Sequence, residues 1–131
     1  MTTFTSNISI NKPINEVYNF LADFNNHQKL MPENIQEWES TADEANFSIQ
    51  NMAKLSLKVE SRIPDEEIRI IPAAKPPFDL EIKWSLSSDN DHTNVLLTIN
   101  ADLSMMMKML ASGPLQKLAD YETQSLSEIL N

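Results

Sequence analysis

The segment Phe78 to Ser87, FDLEIKWSLS, alternates apolar and polar residues without interruption. Phe78, Leu80, Ile82, Trp84 and Leu86 share one side, and Asp79, Glu81 and Lys83 the other. A period of two belongs to an extended strand with one dry and one wet face. The pattern recurs. Phe4, Ser6, Ile8 and Ile10 align, as do Leu55, Leu57, Val59 and Ile63 against Lys54, Lys58, Glu60 and Arg62, and Val95, Leu97, Ile99 and Ala101. Ile35 to Thr41, Ala45 to Gln50 and Glu67 to Ile71 read as shorter strands. Gln50-Asn51-Met52 and SSDNDHTN read as turns, the former using the tolerance of Asn51 for left-handed backbone. So many alternating segments predict an antiparallel sheet with one apolar face, which another layer must cover.

Two stretches have helical spacing. In NKPINEVYNFLADF, Ile14, Val17, Tyr18 and Leu21 recur at helical intervals after Pro13, which suits a first helical turn. NNHQKLMPE follows as a second short helix, ended by Pro32. Ser104 to Leu130 is long enough to lie across a sheet, about 40 Å if continuous. The order is strand, two short helices, a strand meander and one long helix. That is an α+β arrangement over residues 1–131, taken as one domain.

Composition narrows the function classes. The chain carries 10 Lys and Arg against 19 Asp and Glu, a net charge of -9. It shows no basic cluster, so a general nucleic-acid partner or an anionic membrane surface is not expected. With no cysteine, it has no disulfide, thiolate nucleophile or cysteine metal site. No apolar run reaches the length of an integral membrane segment. The start MTTFTSNISINK has no basic or apolar leader pattern, and a cytoplasmic location is expected.

The long helix begins with LSMMMKMLASGPLQKL, with four methionines in five positions and the chain's only glycine, Gly113. On a helical wheel of 104–112, Ser104, Lys108 and Ser112 form a polar stripe. Met106 and Leu110 lie opposite it, flanked by Met107 and Met109, and Gly113 joins that face. Taking the polar stripe as the wet side turns Met106, Met109, Leu110 and Gly113 inward and leaves Met105 partly exposed. Pro114 cannot donate a hydrogen bond and clashes with the carbonyl of Leu110, which predicts a kink or break at Ser112 to Pro114. Methionine suits either a soft lid over a cavity or an irregular core, and both readings stand. In the second half, Leu115, Leu118, Ala119, Leu126, Ile129 and Leu130 share an arc with Tyr121 at its edge, and Glu122 falls inside it. A carboxylate there is either a polar anchor of raised pKa, or paired, or reaching solvent at the helix edge.

The strand-Pro-helix start around KPINEVYNFLADF, the FLADFNNHQKLMP stretch and the alternating strands before a terminal helix resemble the helix-grip superfamily. This grouping, SRPBCC, includes START lipid-transfer domains, the birch-pollen allergen family and polyketide cyclase-like proteins. The resemblance spans essentially the whole chain and implies a curved sheet of about six to seven strands wrapped around the C-terminal helix. It also implies a cavity between them for a lipid, polyketide, quinone or similar molecule. The lining expected from it is Leu55, Leu57, Phe78, Leu80, Trp84, Leu97, Met106, Met109, Leu110 and Gly113.

The inner strand face offers no His, Lys, Arg, Asp or Glu. Tyr18, Ser61, Tyr121, Glu122 and the indole of Trp84 are the polar groups expected to orient a ligand. No catalytic residue, metal ligand or cofactor is assigned. His27 and His92 lack metal-ligand spacing, His27 being expected at the surface or as a cap, and Asp89-Asn90-Asp91-His92 reads as a solvated hairpin tip. The AAKPP stretch after Pro72 reads as a stiff connection, which either rims the cavity mouth or serves as a plain turn. Three functions remain open. The first is non-enzymatic binding of a small hydrophobic molecule. The second is a cyclase- or dehydratase-type enzyme using Glu122, Tyr18 or Tyr121. The third is a protein-interaction or co-chaperone module with a filled core.

Overall fold

The seven strands run β1 (Thr2–Ile10), β2 (Ile35–Ser40), β3 (Glu44–Ile49), β4 (Ala53–Ile63), β5 (Glu67–Pro72), β6 (Leu80–Asp89) and β7 (His92–Ala101). They come from a computed structural model that describes residues 2–50, 53–76 and 78–131. Every neighbour is antiparallel, in the order β1-β7-β6-β5-β4-β3-β2. The chain thus makes one meander from β2 to β7, and β1 closes onto β7. Asn51 and Met52, expected in a tight turn, and Pro77, in the connection before β6, lie outside the described residues.

Helix α1 (Ile14–Ala22) starts at Pro13, which occupies the N-cap rather than the first turn. Val17, Tyr18 and Leu21 are its buried side. The second short helix is present as a 3₁₀ helix, Phe24–Leu30. The physical reason lies in its spacing. Phe24, His27 and Leu30 recur every third residue, and only three residues per turn brings all three onto one buried face. The Asp23 carboxylate accepts a hydrogen bond from the Asn25 N–H at its start. Below it, rings meet edge to face from Phe24 to His27 and from His27 to Trp84. Trp38 stacks on Phe47 at 5.2 Å. These rings, with Ile68, Ile70 and Leu97, fill the interior against α1 and the sheet.

Two pairings depart from simple alternation, β2 with β3 between Gln36 and Glu39 and β4 with β5. The pairing of β4 with β5 shifts between Val59 and Ser61, a bulge that reverses the faces beyond it. Val59 pairs with the buried Ile70, Ser61 with Arg69, and Arg62 with the buried Ile68. Ser61 and Ile63 therefore turn to the outer face, where Arg69 approaches Glu67 and Glu81, and Arg62 turns inward. This corrects the expectation that Ser61 and Ile63 face the interior. Arg62 donates to the carbonyls of Ala22 (2.9 Å) and Ala42 (2.8 Å) and pairs with Asp43 (2.9 Å). Ala22 is the last residue of α1, so the guanidinium serves as its C-terminal cap.

Helix α2 (Met105–Leu130) runs unbroken for 26 residues, about 39 Å. Ser104 caps it by accepting from the Met107 N–H. The expected break at Ser112 to Pro114 does not occur, and Pro114 sits inside the helix. The helix lies along β1, β7 and the 3₁₀ turn. Ser6 and Thr123 hydroxyls meet at 2.7 Å, and Gln116 donates to the Thr5 carbonyl at 2.9 Å. These contacts cover an edge strand whose backbone would otherwise be open to pairing. The result is a curled half-barrel with a long helix, the α+β helix-grip architecture.

Arg62 gives a direct check of the bulge. Arg62→Met removes a charged donor from two backbone carbonyls and is expected to cost about 1–3 kcal/mol in urea unfolding. A loss below about 0.5 kcal/mol, as for an ordinary surface site, would show that the cap contributes nothing.

Candidate functional site

Helix α2 decides where a site can be. Its buried residues are Ala111, Leu115, Ala119, Glu122, Thr123 and Leu126, at helical spacing along one stripe. Because the helix continues through Pro114, this stripe fixes the phase of the first turns as well. Met105, Met106, Met109 and Leu110 consequently face solvent, at 83%, 72%, 84% and 64% exposure. Gly113 is exposed too, and a Cβ there would meet nothing within 4 Å. The inward placement expected for Met106, Met109, Leu110 and Gly113 is thus overturned. It rested on phasing residues 104–112 separately from the rest of the helix. Of the methionine run, only Met107 packs partly against the core.

The strand half of the expected site does face inward. Leu55, Leu57, Phe78, Leu80, Trp84 and Leu97 are all buried, with Trp84 at 1% and Leu97 at 0% exposure. A side chain with no accessible surface adjoins no space for a ligand, so Trp84 and Leu97 are packed core in this conformation. The strand residues and the helix residues of the expected lining are not brought together. Phe78 borders a surface hollow with Lys75, Pro76, Asp79, Asp102, Ser104 and Met107, which places Lys75 and Pro76 beside the start of α2.

Glu122 is buried, at 5% exposure. Among the described residues it has neither a salt bridge nor a hydrogen-bond partner, and burial alone pushes its pKa up from 4.5 to about 8. A carboxyl in this position is mostly protonated at neutral pH and can donate a hydrogen bond. His27, expected at the surface, is instead buried between Phe24 and Trp84, its Nε2 2.8 Å from the Leu21 carbonyl. Desolvation lowers its pKa from 6.5 to about 4, against opposing contributions from that carbonyl and from Asp23. Tyr18 is buried on α1. Among the described residues, no three His, Asp or Glu side chains are grouped to hold a metal ion.

A candidate groove lies elsewhere, one of several surface hollows of about 310 to 370 Å³. It runs between α2 and the chain just after the 3₁₀ turn, has a volume of about 370 Å³, and is lined by Pro32, Asn34, Pro114, Lys117, Leu118 and Tyr121. Leu118 and Tyr121 supply apolar surface. The Tyr121 hydroxyl, the Lys117 ammonium and the Asn34 amide supply polar groups. Glu122 follows Tyr121 on the helix but belongs to its buried stripe and does not line the groove. Of the residues expected from sequence, only Tyr121 lines this groove. Pro32 and Pro114 were visible as punctuation, but nothing local in the sequence joins two prolines that lie 82 positions apart.

No protein-family model matches this chain, and no curated protein matches it in sequence. Solved structures do match over nearly its full length. The crystal structure of TTHA0849 from Thermus thermophilus has a TM-score of 0.78 at 16% identity, covering 98% of this chain and 97% of that one. The solution structure of KanY protein (ms6282) has a TM-score of 0.82 at 13% identity, covering 98% and 97%. The Aha1 dimer from Colwellia psychrerythraea has a TM-score of 0.70 at 19% identity, covering 99% and 96%. At these identities the likeness establishes the shared curled sheet and C-terminal helix, and no activity. No helix of the described residues is long and apolar enough to cross a membrane.

The two buried groups predict an uneven pH profile of stability. Folded Glu122 keeps a proton that the unfolded chain releases near pH 4.5, so stability is full below that value and is lost as pH rises to about 8. Folded His27 refuses a proton that the unfolded chain takes up near 6.5, so its contribution is present above 6.5 and lost as pH falls toward about 4. Between 4.5 and 6.5 the two slopes oppose each other. From 6.5 to 8 only Glu122 acts, with a loss of up to about 1.4 kcal/mol per pH unit. Melting temperature should fall over that interval, and Glu122→Gln should flatten the fall. An identical decline in the variant would refute the assignment.

Proposed function

We propose that this domain is a carrier or sensor of a small apolar molecule, bound in the groove between α2 and residues 32–34. The observation behind this reading is the groove's lining of apolar and polar groups along the long helix, since hollows of about 360 Å³ occur elsewhere too. Its volume of about 370 Å³ falls within the range of about 300–1,000 Å³ typical of small-molecule sites. Its lining pairs apolar walls with a few polar groups, the composition that binds an apolar body and orients one end. Lys117 favours a ligand with an anionic or hydrogen-bond-accepting end. This reading moves the ligand from the centre of the grip to its margin, consistent with the sealed surroundings of Trp84 and Leu97. It keeps the chain with the SRPBCC proteins it resembles and assigns it to the cytoplasm.

A cyclase- or dehydratase-type enzyme is the alternative that Glu122 favours, since a carboxyl with a pKa near neutrality is suited to general acid–base work. The groove lining contains no carboxylate or histidine, and Glu122 itself lies outside it, and the binding reading is preferred for that reason.

Native mass spectrometry of freshly purified protein is the test, followed by a thermal-shift screen of lipophilic compounds. The expected result is a defined small-molecule adduct, or a compound that raises the melting temperature by binding only the folded state. Leu118→Asp should abolish either signal. Failure to detect an adduct or any stabilising compound, or signals indifferent to Leu118→Asp, would overturn the reading. Glu122→Gln separates the two functions, because a carrier should keep binding and an enzyme should lose turnover.

A further inference from the structure

The groove between α2 and residues 32–34 restricts the chemistry of its occupant as well as its size. Its lining of Pro32, Asn34, Pro114, Lys117, Leu118 and Tyr121 contains no carboxylate. Lys117, Leu118 and Tyr121 follow Pro114 at three-, four- and seven-residue steps, which makes the helical wall a single face. Among the described residues Lys117 makes no salt bridge. Asp120, one turn along the helix, accepts from the Gln116 amide at 3.2 Å. Glu33 stands between Pro32 and Asn34 in the chain but is exposed and outside the lining. Hydrogen-bonding capacity in the groove is therefore lopsided. An ammonium brings three donors and no acceptor, and the Tyr121 hydroxyl and Asn34 amide add further donors. An acceptor carrying negative charge satisfies such a wall.

The apolar lining limits shape. Pro32 and Pro114 are rings on constrained backbone, and Tyr121 adds a flat aromatic face. Stiff walls favour a stiff ligand, which loses little freedom on binding. From Pro114 to Tyr121 the helix rises about 10 Å. That is shorter than the acyl tail of a membrane lipid, which spans a leaflet of about 15 Å.

We propose that the groove takes a compact aromatic carboxylate, one or two fused rings with a single acid group. The ring lies against Pro32, Pro114 and Leu118. The carboxylate accepts from the Lys117 ammonium and the Tyr121 hydroxyl, in charge-assisted hydrogen bonds stronger than neutral ones. The inference rests on the groove reading and narrows it, setting long-chain lipids aside. The net charge of -9 disfavours anions over the surface at large, and an acid-free groove with a lysine is where one is retained.

Calorimetric titration of the full chain with three probes tests the class. They are naphthoate, its neutral counterpart naphthylmethanol, and dodecanoate, which keeps the acid but replaces the rings with a flexible chain. Naphthoate should bind at least about tenfold more tightly than the alcohol, the margin expected of a hydrogen bond to a charged group. Lys117→Gln should remove that margin and leave the alcohol's affinity unchanged. Lys117 is exposed, and the variant should melt at the wild-type temperature without probe, which separates lost recognition from lost folding. Dodecanoate should bind more weakly than naphthoate. An alcohol as tight as the acid, a margin that survives Lys117→Gln, or dodecanoate binding ahead of naphthoate overturns the proposal and leaves the groove reading standing. So does a naphthoate that fails to bind where other lipophilic compounds succeed. If no compound of any class binds, the groove reading falls together with this one.

Discussion

The seating of α2 on the edge strand β1 is the contact on which the rest of the molecule depends. Ala111 and Ala119 are fully buried there, and their small side chains let the helix lie close. The Ser6–Thr123 and Gln116–Thr5 hydrogen bonds fix its rotation. With the rotation fixed and the helix unbroken, every other residue of α2 has an assigned direction. Leu115 and Leu126 go to the core, Glu122 goes with them with no partner among the described residues, and Met105, Met106 and Met109 go to water. The surface features of the protein follow from this one packing decision.

The same decision marks how far the sequence could be read. The strands were legible because a period of two leaves little choice, and β1, β6 and β7 keep it from end to end. The α+β order and the covering helix followed from it. Beyond that, single residues misled. The apolar character of Met106 and Leu110 argued for burial, while the true inner face in those turns carries only Met107 and Ala111. Pro114 argued for a break, and the assumed break uncoupled the phase of the two halves. Carrying the Leu115–Ala119–Glu122–Leu126 stripe backward through Pro114 would have reached Ala111 and placed the methionines correctly. Ser61 was misplaced by a bulge, whose only local trace is an arginine that needs carbonyls to bind. His27 was misplaced because its spacing from Phe24 and Leu30 fits a 3₁₀ turn rather than an α-helix. Glu122 was correctly placed on the buried face by the wheel. That it lacks a partner is a tertiary fact.

A divided molecule results. The centre of the grip is occupied by aromatic and branched side chains around Trp84. The features that could meet other molecules lie on or beside α2, with a groove along one flank and an apolar stripe along the outside. The net negative charge keeps such a surface from collapsing onto nucleic acid or an anionic membrane and leaves apolar contact as the main attractive force. The binding reading therefore depends on the helix facing the way it does.

The rotation of α2 is tested most directly by methionine oxidation. Dilute protein would be exposed briefly to hydrogen peroxide, and each methionine's oxidation followed by peptide mass spectrometry. Met105, Met106 and Met109 should oxidise at nearly the rate of free methionine, with half-buried Met107 distinctly slower. Protection of Met106 and Met109 with rapid oxidation of Met107 would mean that the helix is turned the other way. It would return the methionines to the interior and contradict the seating of α2 from which the groove and the exposed stripe both follow.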